Sequence, residues 1–112
     1  MIINNINEMK KGWFIGNFEP SMLKTNSFEV GFKLHEAGEK YGFHYHEKVT
    51  EFNLIVEGTM EMHNQELQSG DIFILEPFEV ANPKFITNCK IVCIKVPGIT
   101  NDKIEIAIDL ER

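Results

Sequence analysis

Apolar and polar side chains alternate with a period of two in this chain, and that period constrains the fold most. The alternation covers residues 28–34 and, near the end of the chain, residues 103–110. Successive side chains of a β-strand point to opposite faces, so the pattern predicts half-buried antiparallel strands. Shorter apolar runs predict further strands at residues 43–46, 51–56, 59–63, 72–75 and 89–96.

Turn residues separate these segments, as at Glu57-Gly58, Ser69-Gly70-Asp71 and Pro97-Gly98. About eight short strands joined by tight turns favour a closed structure, because closure removes exposed sheet edges. The chain has 112 residues, which is the size of one domain. We therefore predict a single all-β domain over residues 1–112, a small antiparallel β-barrel or jelly roll.

Charge and composition exclude several classes of function. The chain carries 11 basic and 17 acidic residues, for a net charge of −6, and no segment concentrates Lys and Arg. Nucleic acid is therefore an unlikely partner on electrostatic grounds. The longest apolar runs are four residues, far below the ~20 that span a bilayer, so we expect no membrane segment. The first residues lack the pattern of a secretory signal.

The two cysteines, Cys89 and Cys93, bear on the compartment. On one strand they share a face but lie about 13 Å apart, which is too far for a disulfide. We expect buried free thiols, and this suits a reducing cytoplasm.

The segment that carries chemistry is His44-Tyr45-His46, followed by Glu51. On a strand, both imidazoles point to one face, roughly 6–7 Å apart at the backbone. Glu51 follows a short turn and returns on the neighbouring strand. Two imidazoles and one carboxylate suit Fe(II), Mn(II), Ni(II) or Zn(II), with open positions for water or substrate. The alternative is a metal-free pocket in which His44 or His46 acts as a base or a hydrogen-bond donor.

These residues resemble the first signature of the cupin superfamily, which reads Gly, five residues, His-x-His, three or four residues, Glu, six residues, Gly. Every element is present, as Gly38, His44, His46, Glu51 and Gly58. The resemblance implies a double-stranded β-helix, or jelly roll, with a small-molecule ligand in the barrel interior. It also implies a divalent metal ion held by His44, His46 and Glu51, and a homodimer.

The second cupin signature is present only in part. Gly70-Asp71 opens it and residues 72–75 form its expected strand, but no histidine follows Gly70. The third histidine of the family falls on Ala81 in strict register, or on Asn82 if the turn holds one extra residue. Asn82 is therefore a weak candidate ligand through its amide oxygen.

Further residues are candidates for the site or its surroundings. His44, His46 and Glu79, the last near the rim, are candidates for acid–base catalysis. We expect His63 at a solvated hairpin tip, His35 at the exposed end of its strand, and Tyr45 facing away from the histidine pair. Asn53 shares its parity with Glu51, and Met60 and Met62 are candidates to line the cavity. Trp13 either stacks on a sugar ring or packs in the core or a dimer contact.

Three functions remain open. The first is a metal-assisted isomerase or epimerase acting on a sugar or sugar derivative, with the metal as Lewis acid. Residues 12–20 resemble the opening of small cupins from surface-polysaccharide and nucleotide-sugar pathways. The second is a non-heme Fe(II) dioxygenase, and the third is a non-catalytic small-ligand-binding protein. The alternating segment at residues 103–110 is a candidate dimer contact, since it would otherwise be a free edge.

Overall fold

The structure, a computed structural model, describes residues 1–106 and is nearly all β. A single turn of 3-10 helix spans Ile6–Glu8. The strands are β1 (Trp13–Ile15), β2 (Glu29–His35), β3 (His44–His46), β4 (Thr50–Glu57), β5 (Thr59–Met62), β6 (Gln65–Gln68), β7 (Ile72–Leu75), β8 (Lys84–Phe85), β9 (Cys89–Val96) and β10 (Lys103–Glu105).

The strands form three antiparallel sheets around one cavity. The largest sheet has the order β1-β2-β9-β4-β7, and two smaller sheets have the orders β6-β5-β8 and β10-β3. Residues from all three sheets line the same cavity. The predicted all-β barrel, or jelly roll, is therefore confirmed.

The predicted strands at residues 72–75 and 89–96 match β7 and β9 to the residue. Three short strands, β1, β6 and β8, were not predicted, because their sequences carry almost no alternation of apolar residues. Both cysteines are buried free thiols, as expected. No helix within residues 1–106 is long and apolar enough to cross a membrane.

The hydrophobic core lies inside the barrel, and most of its residues also line the cavity. Ile55 of β4 and Met60 of β5 are almost completely buried, and Ile91 of β9 lies beside Ile55 in register. Met60 and Met62 also line the cavity, as the alternation in β5 predicts. The core cluster consists of Ile55, Met60, Met62, Leu75, Ala81, Phe85, Cys89 and Ile91.

The outer side of the five-stranded sheet is apolar, while much of its inner side is polar. In β2 the buried side carries Glu29 and Gly31, whereas Leu34 is 67% exposed. The registers place apolar residues of β2, β9, β4 and β7 next to one another on the outside. We call this surface the outer apolar face; its residues are Val30, Phe32, Leu34, Phe52, Leu54, Ile72, Ile74, Val92 and Ile94.

The final predicted strand is only partly described. β10 pairs antiparallel with β3 of the same chain, with Lys103 opposite His46. One edge of residues 103–105 is therefore paired within the chain, and the candidate dimer contact at residues 103–110 stays a prediction. The remainder of the predicted strand, from Ala107 to Leu110, lies outside the described residues.

Candidate functional site

The barrel encloses a cavity of about 460 Å³, within the range of small-molecule sites. Its apolar lining residues are Met60, Met62, Phe73, Leu75, Ala81, Pro83, Phe85 and Ile91. Its polar and charged lining residues, with Trp13, are Lys11, Lys33, His35, Tyr41, His44, His46, Glu51, Asn53, Cys93, Lys95 and Lys103.

The histidine pair lies on β3, and both side chains line the cavity. Their ring centroids are 5.9 Å apart with the planes nearly perpendicular. Nδ1 of His44 lies 3.2 Å from the backbone oxygen of Gly42. If Nδ1–H donates this bond, Nε2 of His44 is left as the nitrogen that can bind a ligand.

Glu51 begins the inner side of β4, next to His46. Its Oε2 lies 3.7 Å from Nδ1 of His46, and its Oε1 accepts a hydrogen bond of 3.3 Å from the Asn53 amide. Asn53 is buried and lines the cavity, as its shared parity with Glu51 predicts. The cavity thus brings His44 and His46 of β3 together with the carboxylate of Glu51 of β4.

The loop between His46 and Glu51 is held by Asp102, a residue that sequence reasoning missed. Oδ2 of Asp102 accepts hydrogen bonds from the backbone N–H groups of Lys48, at 2.9 Å, and Val49, at 3.0 Å. Burial works against ionisation of Asp102, but these backbone donors outweigh it and lower its pKa from the ordinary value. Asp102 is far from this loop in sequence, and no local motif identifies it.

His46 is buried, and its Nε2 has no hydrogen-bond partner within residues 1–106. Burial lowers the pKa of His46, and the nearby Glu51 charge offsets this only in part. The neutral imidazole is the form that binds metals. A buried nitrogen without a partner costs free energy unless a ligand or an ordered water satisfies it.

The donor chemistry of His44, His46 and Glu51 fits a divalent metal, and all three side chains line the same cavity. In the described part of the chain, however, no three His, Cys, Asp or Glu side chains are already arranged as a metal site.

Ala81, and not Asn82, lies on the cavity wall beside His44. Ala81 is buried, lines the cavity and exchanges two backbone hydrogen bonds with His44, at 2.8 and 3.0 Å. Asn82 is half-buried and is not part of the cavity lining. The expectation that Asn82 supplies a fourth ligand is therefore corrected, because the residue beside His44 on the cavity wall is Ala81.

Glu79 does not reach the cavity either, which removes it from the catalytic candidates. Its Oε1 accepts a hydrogen bond from the backbone N–H of Glu76, and so closes the turn after β7. Its Oε2 lies 3.9 Å from Nδ1 of His63, which is exposed as expected. Tyr45 faces away from the histidine pair, also as expected, and packs near Phe78.

His35 lines the cavity instead of lying at an exposed strand end. Its ring stacks on Phe85 with centroids 3.9 Å apart, and its Nδ1 lies 3.0 Å from Oε2 of Glu39. The side chain of His35 is only 15% exposed. His35 has the same parity as Lys33, which also lines the cavity, but the alternation alone does not show that this side of β2 is the inner one.

Trp13, Lys33 and Lys95 form another part of the polar lining. The Trp13 ring covers Gly31, where an added Cβ would lie 2.7 Å from ring atom Cε3. Nζ of Lys33 and Nζ of Lys95 lie 5.1 and 4.8 Å from the ring centroid. Trp13 is thus a cavity residue and a cation–π partner.

Cys93 lies on the inner side of β9, opposite Gly31 of β2 and Asn53 of β4. Burial, and then the charge of Glu51 and a hydrogen bond to it, raise the pKa of the Cys93 thiol far above its usual value. The group therefore stays a neutral thiol and is a poor nucleophile.

Comparison with known proteins rests on structure, since no protein-family model and no curated sequence matches the chain. A double-stranded β-helix protein from Klebsiella pneumoniae superposes with a TM-score of 0.68 at 21% identity, covering 92% of this chain and 89% of that one. The DMSP lyase DddQ from Ruegeria pomeroyi gives a TM-score of 0.66 at 16% identity, covering 79% of this chain and 47% of that one.

A cupin-2 domain protein from Shewanella frigidimarina also superposes, with a TM-score of 0.55 at 20% identity, covering 67% of this chain and 76% of that one. This chain has the double-stranded β-helix fold of the cupins. Oxalate decarboxylase from Bacillus subtilis, a protein with Mn(II) centres, also matches, with a TM-score of 0.62 at 13% identity. That match covers 72% of this chain and 24% of the decarboxylase. Identities this low establish the fold and leave the activity to the residues of the site.

Proposed function

We propose that this cupin-fold chain binds a divalent metal ion through His44, His46 and Glu51 and acts on a small polar substrate in the barrel. The observation that carries the proposal is the buried Nε2 of His46, which lacks a partner in the described residues and belongs to a side chain that lines the same cavity as His44 and Glu51. The Mn(II) centres of a protein with the same fold lend support.

The reaction class that we propose is isomerisation or epimerisation of a sugar or sugar derivative. When bound, the metal would supply a Lewis acid for a carbonyl or hydroxyl oxygen of the substrate. The cavity volume suits one small ligand, and Asn53 holds one oxygen of Glu51 in place by a hydrogen bond.

His35 is the residue we propose to move the proton. Glu39 orients its ring by accepting a hydrogen bond from Nδ1–H, which leaves Nε2 as the basic nitrogen. Stacking on Phe85 restricts the ring further. Replacing Glu39 with Gln should lower the activity by acting through His35, which makes Glu39 a positioning residue.

A non-catalytic ligand-binding role is the second candidate, and Ala81 favours it. A buried alanine stands where the family has a third histidine, so the metal would have fewer protein ligands. A binding protein tolerates such a loss better than an enzyme that depends on the metal.

We also propose that the chain forms a homodimer through the outer apolar face, and that it works in the cytoplasm. The central part of this face carries no charged side chain, so a second copy can cover it without opposing like charges. The two buried free thiols suit a reducing compartment.

The metal proposal is tested by loading purified chain with Mn(II) after chelation and measuring bound metal. We expect about one ion per chain in the wild type and almost none in His44→Ala, with the fold retained because His44 lines a cavity. His63→Ala is the matched control, since this exposed histidine lies outside the cavity, and should load normally. No bound ion in the wild type, or normal loading of His44→Ala, would contradict the proposal.

Restoring the third histidine provides a second test of the same site. Ala81→His places an imidazole on the cavity wall beside His44 and should tighten metal binding about tenfold or more. Asn82→His places the same group outside the cavity lining and should leave the affinity unchanged. Equal affinities of the two variants would show that the site has another geometry.

A further inference from the structure

The charge of the cavity is opposite to that of the chain. The chain has a net charge of −6, yet four lysines line the cavity beside a single carboxylate, Glu51. The lysines are Lys11, Lys33, Lys95 and Lys103. Because a cavity with low-dielectric walls concentrates the field of its charges, this arrangement favours an anionic guest.

Lys33 and Lys95 form the best-defined part of this charge. Both ammonium groups lie within 5.1 Å of the centroid of the Trp13 ring. Within residues 1–106, neither ammonium lies within 4.0 Å of a carboxylate. The outward-facing Lys90, by contrast, is 3.0 Å from Glu57.

The local architecture holds these two lysines close together. Gly31 and Cys93 pair in register between them, and the absence of a side chain at Gly31 lets Trp13 lie flat against the sheet. Burial lowers the pKa of Lys33, and the charge of Lys95 adds to this effect. Two half-buried cations near one ring repel each other, and neither Glu29 nor Glu51, the carboxylates opposite Lys95 in the two pairings of β9, lies within 4.0 Å of either ammonium.

We propose that Lys33, Lys95 and Trp13 form an anion subsite that holds the oxyanion group of the substrate, either a carboxylate or a phosphate. The inference rests on the proposed function, because it names the class of ligand for the same cavity. Such a ligand has two polar ends. Its oxyanion lies at the lysines, and its hydroxyl or carbonyl oxygens lie at His44, His46 and Glu51.

Strand register supports a ligand that spans both ends. Lys95 lies directly opposite Glu51 in the pairing of β9 with β4, so the two groups are cross-strand neighbours on the inner face. A small anion held by Lys95 would therefore lie beside Glu51, whose Oε2 is 3.7 Å from Nδ1 of His46.

Trp13 allows a direct test, because it is the only tryptophan of the chain and lies at the proposed subsite. We would titrate chelator-treated wild-type chain with malonate, inorganic phosphate and malonamide, the uncharged counterpart of malonate, at low ionic strength. Trp13 fluorescence should show a saturable change with malonate or phosphate and none with malonamide. Tighter binding of malonate indicates a carboxylate ligand, and tighter binding of phosphate indicates a phosphate.

Lys33→Gln and Lys95→Gln should each weaken anion binding about tenfold, because each removes one charged donor. Lys90→Gln is the matched control and should bind as the wild type does. Thermal unfolding of each variant checks that the fold is kept. The inference is wrong if malonamide matches malonate, if no anion gives a saturable change, or if the two cavity variants bind normally.

These titrations contain no metal, so their result is independent of the metal-loading test. Anion binding without metal loading would overturn the proposed function and keep the subsite. Metal loading without anion binding would do the reverse.

Discussion

On its inner face, the five-stranded sheet places Glu29, Lys33 and His35 of β2 towards the cavity side. On its outer face, the same strand places the apolar residues Val30, Phe32 and Leu34 away from the cavity. In most antiparallel sheets with one solvated side, the apolar residues face inward. Here the apolar residues cover the outside, and the polar ones surround the site.

This difference follows from the two tasks of the sheet. Part of the inner face packs in the hydrophobic core, around Ile55 and Ile91. The rest of the inner face lines the cavity with polar groups, which leave space for a ligand. An apolar exterior on a chain of this size is typical of a surface that a partner covers.

The largest loss of stability that tests this comparison is expected for a core residue on the inner face of the sheet. Ile55→Ala removes a fully buried side chain and should lower the free energy of unfolding by about 2–5 kcal/mol. Val56→Ala is the matched control, because the next residue of β4 points outward and is 48% exposed, and it should cost below about 1 kcal/mol. Urea unfolding at low protein concentration measures both, and equal losses would contradict the assignment of the two faces.

Gly31→Ala should have the next largest effect, because an added Cβ meets the Trp13 ring at 2.7 Å. Moving this ring costs about 1–3 kcal/mol of unfolding free energy and disturbs the cavity wall. Gly42→Ala is the control, since nothing lies within 4 Å of its added Cβ. A shift in Trp13 fluorescence should accompany the loss in Gly31→Ala only. Unchanged stability and fluorescence would show that the ring does not lie on Gly31.

The sequence predicts the barrel and the histidine pair well, because strand parity is local. It places His44 and His46 on one face, puts Asn53 with Glu51, and sends Tyr45 to the other side. Parity does not say which face is inside, and this is why the position of His35 was mistaken. The placement of Ala81 required the length of a turn, and the role of Asp102 required a contact across more than fifty residues.

A smaller loss of stability is expected at Asp102, which accepts backbone hydrogen bonds from the loop between His46 and Glu51. Its pKa is lowered in the fold, so its contribution to stability is present above the ordinary aspartate value of 3.8 and is lost as the pH falls through the lowered pKa. Asp102→Asn should cost about 1 kcal/mol at pH 7. The difference from wild type should shrink below about pH 4.

Urea unfolding from pH 7 to pH 3 measures this difference. Glu105→Gln serves as the control, because Glu105 is an exposed residue near Asp102 and should show little difference at any pH. A constant difference between wild type and Asp102→Asn over the whole range would mean that the charge of Asp102 does not hold the loop.

The smallest effect on the folded monomer is expected on the outer face, where the proposed partner is a second copy. Ile72 is 71% exposed, so Ile72→Lys should change the unfolding free energy of the monomer by about 0.5 kcal/mol or less. In a dimer, however, each new lysine would be buried against an apolar surface, so the variant should be monomeric. Light scattering should give twice the 12.9 kDa chain mass for the wild type and one chain mass for the variant.

Ile86→Lys separates this effect from a general loss of surface apolarity. Ile86 is also exposed, but it lies between β8 and β9, outside the outer apolar face, so this variant should remain dimeric. A monomeric wild type, or a dimeric Ile72→Lys, would show that another partner or none covers the face. In that case dimerisation would not explain why the apolar residues of the sheet face outward and the polar ones inward. That explanation requires the outer apolar face to become buried in the assembled protein.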